Sequence, residues 1–286
     1  MTSEMDQSKL TYCDTEYGEL KKVVLCEPRH IAIRDVINET QKKYKKEGIN
    51  IDLAIKQHQL FSESLFAQGV EVIHVPPLEN YPEQVFTRDI GFTLGQTIYV
   101  AEMAQKIRKG EEESLKTWLK MTETSYYNLL GDKIEGGDVI VDGMNIFIGV
   151  SDRTDKKAIE HLQSLLPQYE IIPISFPHKY LHLDCIFNIV SPTEALLFPG
   201  VIGEHEEELL TSRYECIHVS EEEQFTLGTN VFSIGNKKVY SLPVNKGVNG
   251  QLRERGFEVI EIEISEIIKS GGSFRCCTMP LLREKA

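Results

Sequence analysis

The chain lacks a long apolar run. Nothing in it approaches the length needed to span a bilayer. Its start, Met1 to Lys9, is polar and acidic, without the apolar centre of a signal peptide. No membrane partner is expected, and the expected address is the cytoplasm. Positive charge is also short. The 31 Lys and Arg face 44 Asp and Glu, a net charge of −13 over 286 residues. Nucleic-acid binding needs clustered cations, so no nucleic-acid partner is expected. The acid runs Glu111–Glu113, Glu206–Glu208 and Glu221–Glu223 read as solvated helix starts or loops, with a weaker reading as a field that draws in a cation. The six cysteines (Cys13, Cys26, Cys185, Cys216, Cys276, Cys277) show neither zinc-finger nor thioredoxin spacing. Without an export signal they read as free thiols. No Ser/Gly/Pro-rich linker interrupts the chain. Length alone would admit two domains, but the reading is one domain over 1–286, with 1–17 as a tail or lid. Oligomeric state is left open, a homodimer included.

What is present is a repeat. The segments 70–75, 169–174, 214–219 and 257–262 share a β-branched form and each follows a helix-like stretch; 126–130 holds the same place with a degenerate sequence. Asp89, Asp138, Asp184 and Asn230 each open a two-strand hairpin, spaced about 46 to 49 residues apart. Gly18 to Pro28 reads as a strand stopped by proline. The unit is therefore hairpin, helix, strand, used about five times and closed by the N-terminal strand. Antiparallel hairpins exclude an open doubly wound sheet and predict an α/β ring of small ββαβ units. Asn50 should cap a helix that buries Leu53, Leu60, Phe61 and Leu65 and stops at Gly69. Residues 30–50 are polar and lysine-rich, an excursion with helical character.

In such a ring, equivalent slots face one axis. The slots between outer strand and next hairpin hold Phe86-Thr87-Arg88-Asp89, Glu135-Gly136-Gly137-Asp138, His182-Leu183-Asp184 and Gly271 to Cys276. A random cysteine is most often a small core residue. Cys276 differs by its glycine turn, the preceding Arg275 and its slot; a nearby cation favours the reactive thiolate. A strand period would send one of Cys276 and Cys277 to the site and the other to the core, and spacing does not choose. His182, with Asp184 two residues on, could exchange protons. Glu135 could be a turn residue or could orient His182. Asp89 and Asp184 could bond local backbone or grip a guanidinium in forked pairs. Zinc wants paired local ligands; only His182 and Asp184 are paired, so no metal is expected.

These four motifs resemble those of the guanidino-group-modifying enzymes: arginine deiminases, dimethylarginine dimethylaminohydrolases and amidinotransferases. The resemblance runs from Gly18 to Pro280. It implies a five-bladed pseudo-symmetric α/β propeller, the pentein fold, and chemistry without a cofactor. It implies Cys276 as nucleophile, His182 as acid and base, and Glu135 as the carboxylate orienting the histidine. Asp89 and Asp184 match acids that bind a guanidinium, and Phe86 packs on the substrate. The segment Phe147 to Thr154 is similar to one whose arginine holds a substrate carboxylate, which gives that role to Arg153; Arg108 is a second candidate clamp. The implied reaction hydrolyses a free methylated arginine to citrulline through an S-alkylthiouronium. Arginine deimination or amidino transfer are the alternatives. A non-catalytic small-molecule or ribosome-binding protein of the same fold would not need Cys276, Glu135 and His182 together.

Overall fold

A computed structural model of the chain describes residues 11–285. The first unit is β1 (Leu20–Cys26), α1 (Glu39–Tyr44), α2 (Ile51–Ala67) and β2 (Glu71–Val75), with β1 and β2 parallel. Four hairpin units follow. They are β3 (Gly91–Leu94), β4 (Thr97–Val100), α3 (Glu112–Met121), β5 (Tyr126–Asn128); then β6 (Val139–Asp142), β7 (Asn145–Val150), α4 (Lys156–Leu165), β8 (Glu170–Ser175). The next is β9 (Phe187–Ile189), β10 (Glu194–Leu197), α5 (Glu204–Arg213), β11 (Glu215–His218), and after the short α6 (Glu221–Phe225) come β12 (Phe232–Gly235), β13 (Lys238–Ser241), α7 (Lys246–Glu254) and β14 (Glu258–Glu261). Last are α8 (Ser265–Ile268) and β15 (Met279–Arg283), which pairs antiparallel with β1. The described residues thus form five three-stranded sheets, each an antiparallel pair plus a parallel outer strand.

Burial explains the order within each sheet. The inner strands β3, β9 and β12 are buried throughout, whereas β2, β8, β11 and β14 alternate toward solvent. Polar side chains stitch neighbouring inner strands. Thr93 Oγ1 donates to the Pro280 carbonyl (2.9 Å), Asn188 Nδ2 to those of Thr229 and Val231 (2.9 and 2.8 Å), and Arg283 Nη2 to Ser233 (2.8 Å). The loops before the hairpins join likewise: the Gly136 N–H donates to Asp89 and the Leu183 N–H to Asp138 Oδ1. The expected ring is therefore closed, and the segments preceding the hairpins gather at one end of it.

Three local expectations change. Asn50 does cap α2, its side chain accepting from the Leu53 N–H. The buried stripe, however, is Ala54, Gln57, His58, Phe61 and Leu65, while Leu53 and Leu60 are 40% and 59% exposed. The stripe is one position off because Gln57 and His58 are accepted into the interface, Gln57 by bonding to Ser265 and the Glu266 N–H. Residues 11–17 are not a lid over the gathered loops. They bridge to Leu282, Gly95 and Asp142, at the hairpin-turn end; the rest of the expected tail lies outside the described residues. The segment 30–50 is ordered instead over the loop end. Asn38 caps α1 and also donates to the Ser270 carbonyl (3.0 Å), and the buried Gln41 bonds Glu83 and Ser270. No described helix is long and apolar enough to cross a membrane.

Candidate active site

The turn before β15 carries Cys276. Gly271 sits at φ +101°, where a β-carbon would meet the Asn38 side chain, and a β-carbon at Gly272 would meet the Phe86 ring. The Cys276 main chain is held at both ends: its N–H donates to Asn230 Oδ1 (3.1 Å) and its carbonyl accepts from the Arg88 N–H (3.0 Å). The Cys276 thiol lies 3.7 Å from Asp184 Oδ2. Cys277 is wholly buried, in the same apolar cluster. Burial, then the charges of Asp184 and Asp89, push the Cys276 thiol well above its ordinary value. At rest it is a neutral thiol.

His182 is fully buried at the entrance to the short helical turn Leu183–Cys185. Its Nε2 bonds Glu135 Oε2 at 2.9 Å, and its Nδ1 stands 3.6 Å from Asp89 Oδ1. Burial alone would push the imidazole down. The Asp89 charge, the Glu135 bond and Asp138 outweigh it and raise the imidazole to about 9, so it is a cation at neutral pH. Glu135 is held below the usual carboxylate range: burial would raise it, but His182, Arg108 and Arg153 prevail. Its other oxygen accepts the Ala104 N–H (3.0 Å).

Asp89 gives Oδ2 to Arg108 Nη1 at 2.7 Å and leaves Oδ1 without a partner. Asp184 gives Oδ2 to Arg275 Nη1, also at 2.7 Å. Both expected guanidinium-binding acids are thus already half-occupied by arginines of the chain. Arg108 does not stand as a free clamp for a substrate carboxylate. Its Nε and Nη2 both donate to Glu111 Oε2 (3.0 and 2.8 Å), and it is 1% exposed. This also corrects the reading of the first acid run, since Glu111 is wholly buried as the partner of Arg108. Arg153 keeps an unpartnered Nη1 close to Glu135, while Nη2 reaches the Ile37 carbonyl (3.4 Å). Phe86 is buried against the Gly272 turn.

Four residues escaped the sequence reading. Asn230 props the Cys276 N–H, Glu111 accepts from Arg108, and Glu83 and Gln41 tie α1 to the Ser270 turn. Asn230 was visible only as a hairpin opener; the repeat marked its slot but not its long-range bond. Asp138 likewise bonds the distant Leu183 N–H and Ser151 hydroxyl (2.9 and 2.6 Å) rather than local backbone. Asp89, Glu135 and His182 each offer a ligand atom within 4.8 Å of the others. A dication there would sit beside the buried Arg108 and Arg153 guanidinium groups, which already face Glu135, so the donor set suits a proton network better than a metal.

Gly137 fits only because it has no side chain. A β-carbon there would lie 2.6 Å from His182 Nδ1 and 2.8 Å from Asp89 Oδ1. Gly137→Ala is expected to lower kcat by about 100-fold or more, because a displacement near 1 Å costs that much. A steady-state assay with a melting curve checks it, and unchanged kcat in a folded variant contradicts the placement.

A closed ring of five such sheets, with these loops gathered at one end, defines the class: the chain is one of the guanidino-group-modifying enzymes of the pentein fold. Within that class it belongs to the family described as N,N dimethylarginine dimethylhydrolase, eukaryotic, whose model matches residues 27–283. The chain is 51% identical over 273 residues to the uncharacterized protein YkgA of Bacillus subtilis (strain 168), covering 96% of each. It is 26% identical over 237 residues to N(G),N(G)-dimethylarginine dimethylaminohydrolase of Mycobacterium tuberculosis (strain ATCC 25618 / H37Rv), covering 82% of this chain and 77% of that one. In structure it is similar to the product-bound N-terminal domain of ArgZ, an arginine dihydrolase from cyanobacteria, with a TM-score of 0.84 at 23% identity over 93% and 98% of the two chains. That last likeness concerns the fold. Together the relatives make the chain a hydrolase or deiminase of guanidino groups.

Proposed function

We propose that the protein, as one catalytic domain over its length, hydrolyses the guanidinium of a free arginine derivative, N-methylated arginine first. The observation that carries this is a set of unpartnered buried atoms. Asp89 Oδ1, His182 Nδ1 and Arg153 Nη1 all lack a hydrogen-bond partner. An acceptor, a proton donor and a cation left open in one buried place match a guanidinium, a departing amine and a carboxylate. A guanidinium arriving between Asp89 and Asp184 offsets the two charges that keep the Cys276 thiol neutral, so the substrate itself promotes thiolate formation, and the thiol proton passes to solvent. The sulfur attacks the central carbon. His182 gives its proton to the leaving amine as the C–N bond breaks, and an S-alkylthiouronium remains. Water then attacks and gives one proton to His182, the C–S bond breaks, the new hydroxyl releases its remaining proton to solvent, and a ureido product leaves with the thiolate restored. Arginine itself is the second reading. Asp184 beside the thiol favours it, because a second acid suits an unsubstituted guanidinium that keeps all its N–H groups.

Purified protein incubated with arginine, monomethylarginine, asymmetric dimethylarginine and agmatine decides between these. Ureido product from the methylated compounds supports the first reading, and product from arginine alone moves it to the second. Binding without product removes the hydrolase. The acid role of His182 has a pH signature. A group raised to about 9 is protonated below that pH, so kcat should hold through neutrality and fall as pH passes about 9. A fall centred near 6.5, the ordinary histidine value, contradicts the role.

A further inference from the structure

Beneath the gathered loops, inside the ring, three guanidinium groups meet too few anions. Arg88, Arg275 and Arg283 are 4%, 1% and 1% exposed. Arg275 is paired through both Nη atoms, with Glu16 Oε1 at 3.1 Å and Asp184 Oδ2 at 2.7 Å, while its Nε has no partner. Arg88 Nη1 reaches only Glu16 Oε2, at 3.7 Å, and its Nη2 has no partner. Arg283 pairs with no carboxylate among the described residues. Its Nη1 and Nη2 donate to the carbonyls of Gly18 and Ser233 (2.6 and 2.8 Å), and it lies over the Phe232 ring. Three cations therefore share two acids, and one of these, Asp184, also faces the Cys276 thiol. The excess charge shows in the groups themselves. Burial first, then repulsion from Arg275 and Arg283, lowers Arg88 to about 10, and burial lowers Arg283 as well. A buried charge without a counter-charge is costly and ordinarily recruits one.

Arg88 and Arg283 border a small cavity of about 10 Å³, with Cys13, Thr15, Thr93 and Glu16 around it. That is the room of one solvent-sized particle. Glu16 is already engaged by Arg275 and the Val141 N–H, and burial holds the Cys13 thiol neutral, its value pushed up to about 12. We propose that this cavity is an anion site of halide size, with Arg88 and Arg283 as the ligands and chloride as the ordinary occupant. The site lies under the catalytic turn. The Arg88 N–H holds the Cys276 carbonyl, and Arg88 Nε donates to the Arg275 carbonyl at 3.4 Å. An anion that fixes the Arg88 side chain therefore stiffens the floor on which Cys276 stands.

Bromide is the probe. Crystals of the wild-type protein soaked in sodium bromide, measured at the bromine absorption edge, should show an anomalous peak within hydrogen-bond reach of Arg88 Nη2. Water there, an acidic side chain there, or peaks at the surface only would each overturn the site. In solution, the wild-type Tm should be higher by about 3 °C in sodium chloride than in sodium gluconate at equal ionic strength, gluconate being too large to enter. Arg88→Met should abolish that difference. Equal Tm in the two salts, or an undiminished difference in the variant, counts against the proposal. If the variant does not fold, the wild-type diffraction result decides alone.

Discussion

Cys276→Ser is expected to lower kcat on the order of 10⁴ to 10⁶-fold, as loss of a nucleophile does in other covalent enzymes, while substrate still binds. The hydroxyl is a weaker acid than the thiol, and it meets the same field. Asp184 and Asp89 already push the thiol upward in a fully buried place, so a serine there has no accessible alkoxide. Binding is expected to survive because the substitution leaves the groups assigned to the substrate, Asp89, Asp184, Arg153 and Phe86, in place. Stability should change little, since the main chain of residue 276 keeps its bonds to Asn230 and Arg88. Calorimetric titration with the best substrate, together with a turnover assay, reads both halves. The neighbouring substitution is the control. Cys277 is wholly buried in the apolar cluster, so Cys277→Ser buries a hydroxyl at a cost of about 1–3 kcal/mol in stability and leaves kcat within a few-fold. If the two variants exchange behaviour, the nucleophile moves by one residue. Mass spectrometry of quenched wild-type enzyme should find the mass of the substrate less its leaving amine added to the peptide containing Cys276 and Cys277, and the serine at 276 should remove it.

Much of this architecture could be read in advance, for a physical reason. A propeller repeats one local solution, and local solutions are written locally. The hairpin turns Gly95-Gln96, Asp142-Gly143 and Gly235-Asn236 sit between period-two strands, and each outer strand follows a helix-like stretch. Slot equivalence puts Asp89, Glu135, His182 and Cys276 at one end of the ring. What could not be read was which buried charge pairs with which. Arg108 and Glu111 are three residues apart on a polar stretch that looks solvated, yet both are buried because Asp89 lies beneath them. Arg275 looked like the cation that would activate Cys276. It turns away instead, to Asp184, Glu16 and the Val139 carbonyl. The α2 stripe failed in part similarly, because Gln57 is buried against α8 and His58 beside His74 of β2, neighbours that sequence periodicity does not contain. In each case the deciding contact is more than local, and a pattern of hydrophobicity carries no information about it.

Glu135→Gln is the sharpest test of the proton path, with an expected loss of roughly 10²–10⁴-fold in kcat. The carboxylate accepts on both oxygens, from His182 Nε2 and from the Ala104 N–H. An amide accepts on one oxygen and presents an NH₂ at the other place, so one of two buried N–H groups meets a donor. The negative charge is lost as well. His182 stands near 9 because Asp89, the Glu135 bond and Asp138 outweigh its burial. Without the Glu135 charge the imidazole falls back toward the ordinary range, and fewer molecules hold the proton that the departing amine requires. The falling limb of the kcat profile should therefore shift to lower pH, which a merely structural defect would not produce. Stability has its own sign. The Glu135 carboxyl is held below its unfolded value, so its contribution is complete above that value, near 4.3, and is lost as pH falls through the lower folded one. The stability gap between wild type and variant should accordingly be widest at neutral pH and shrink in acid. A variant with reduced kcat but an unmoved limb near 9 would mean that Glu135 shapes the loop without setting the charge of His182, and the acid–base assignment would then need a different carboxylate.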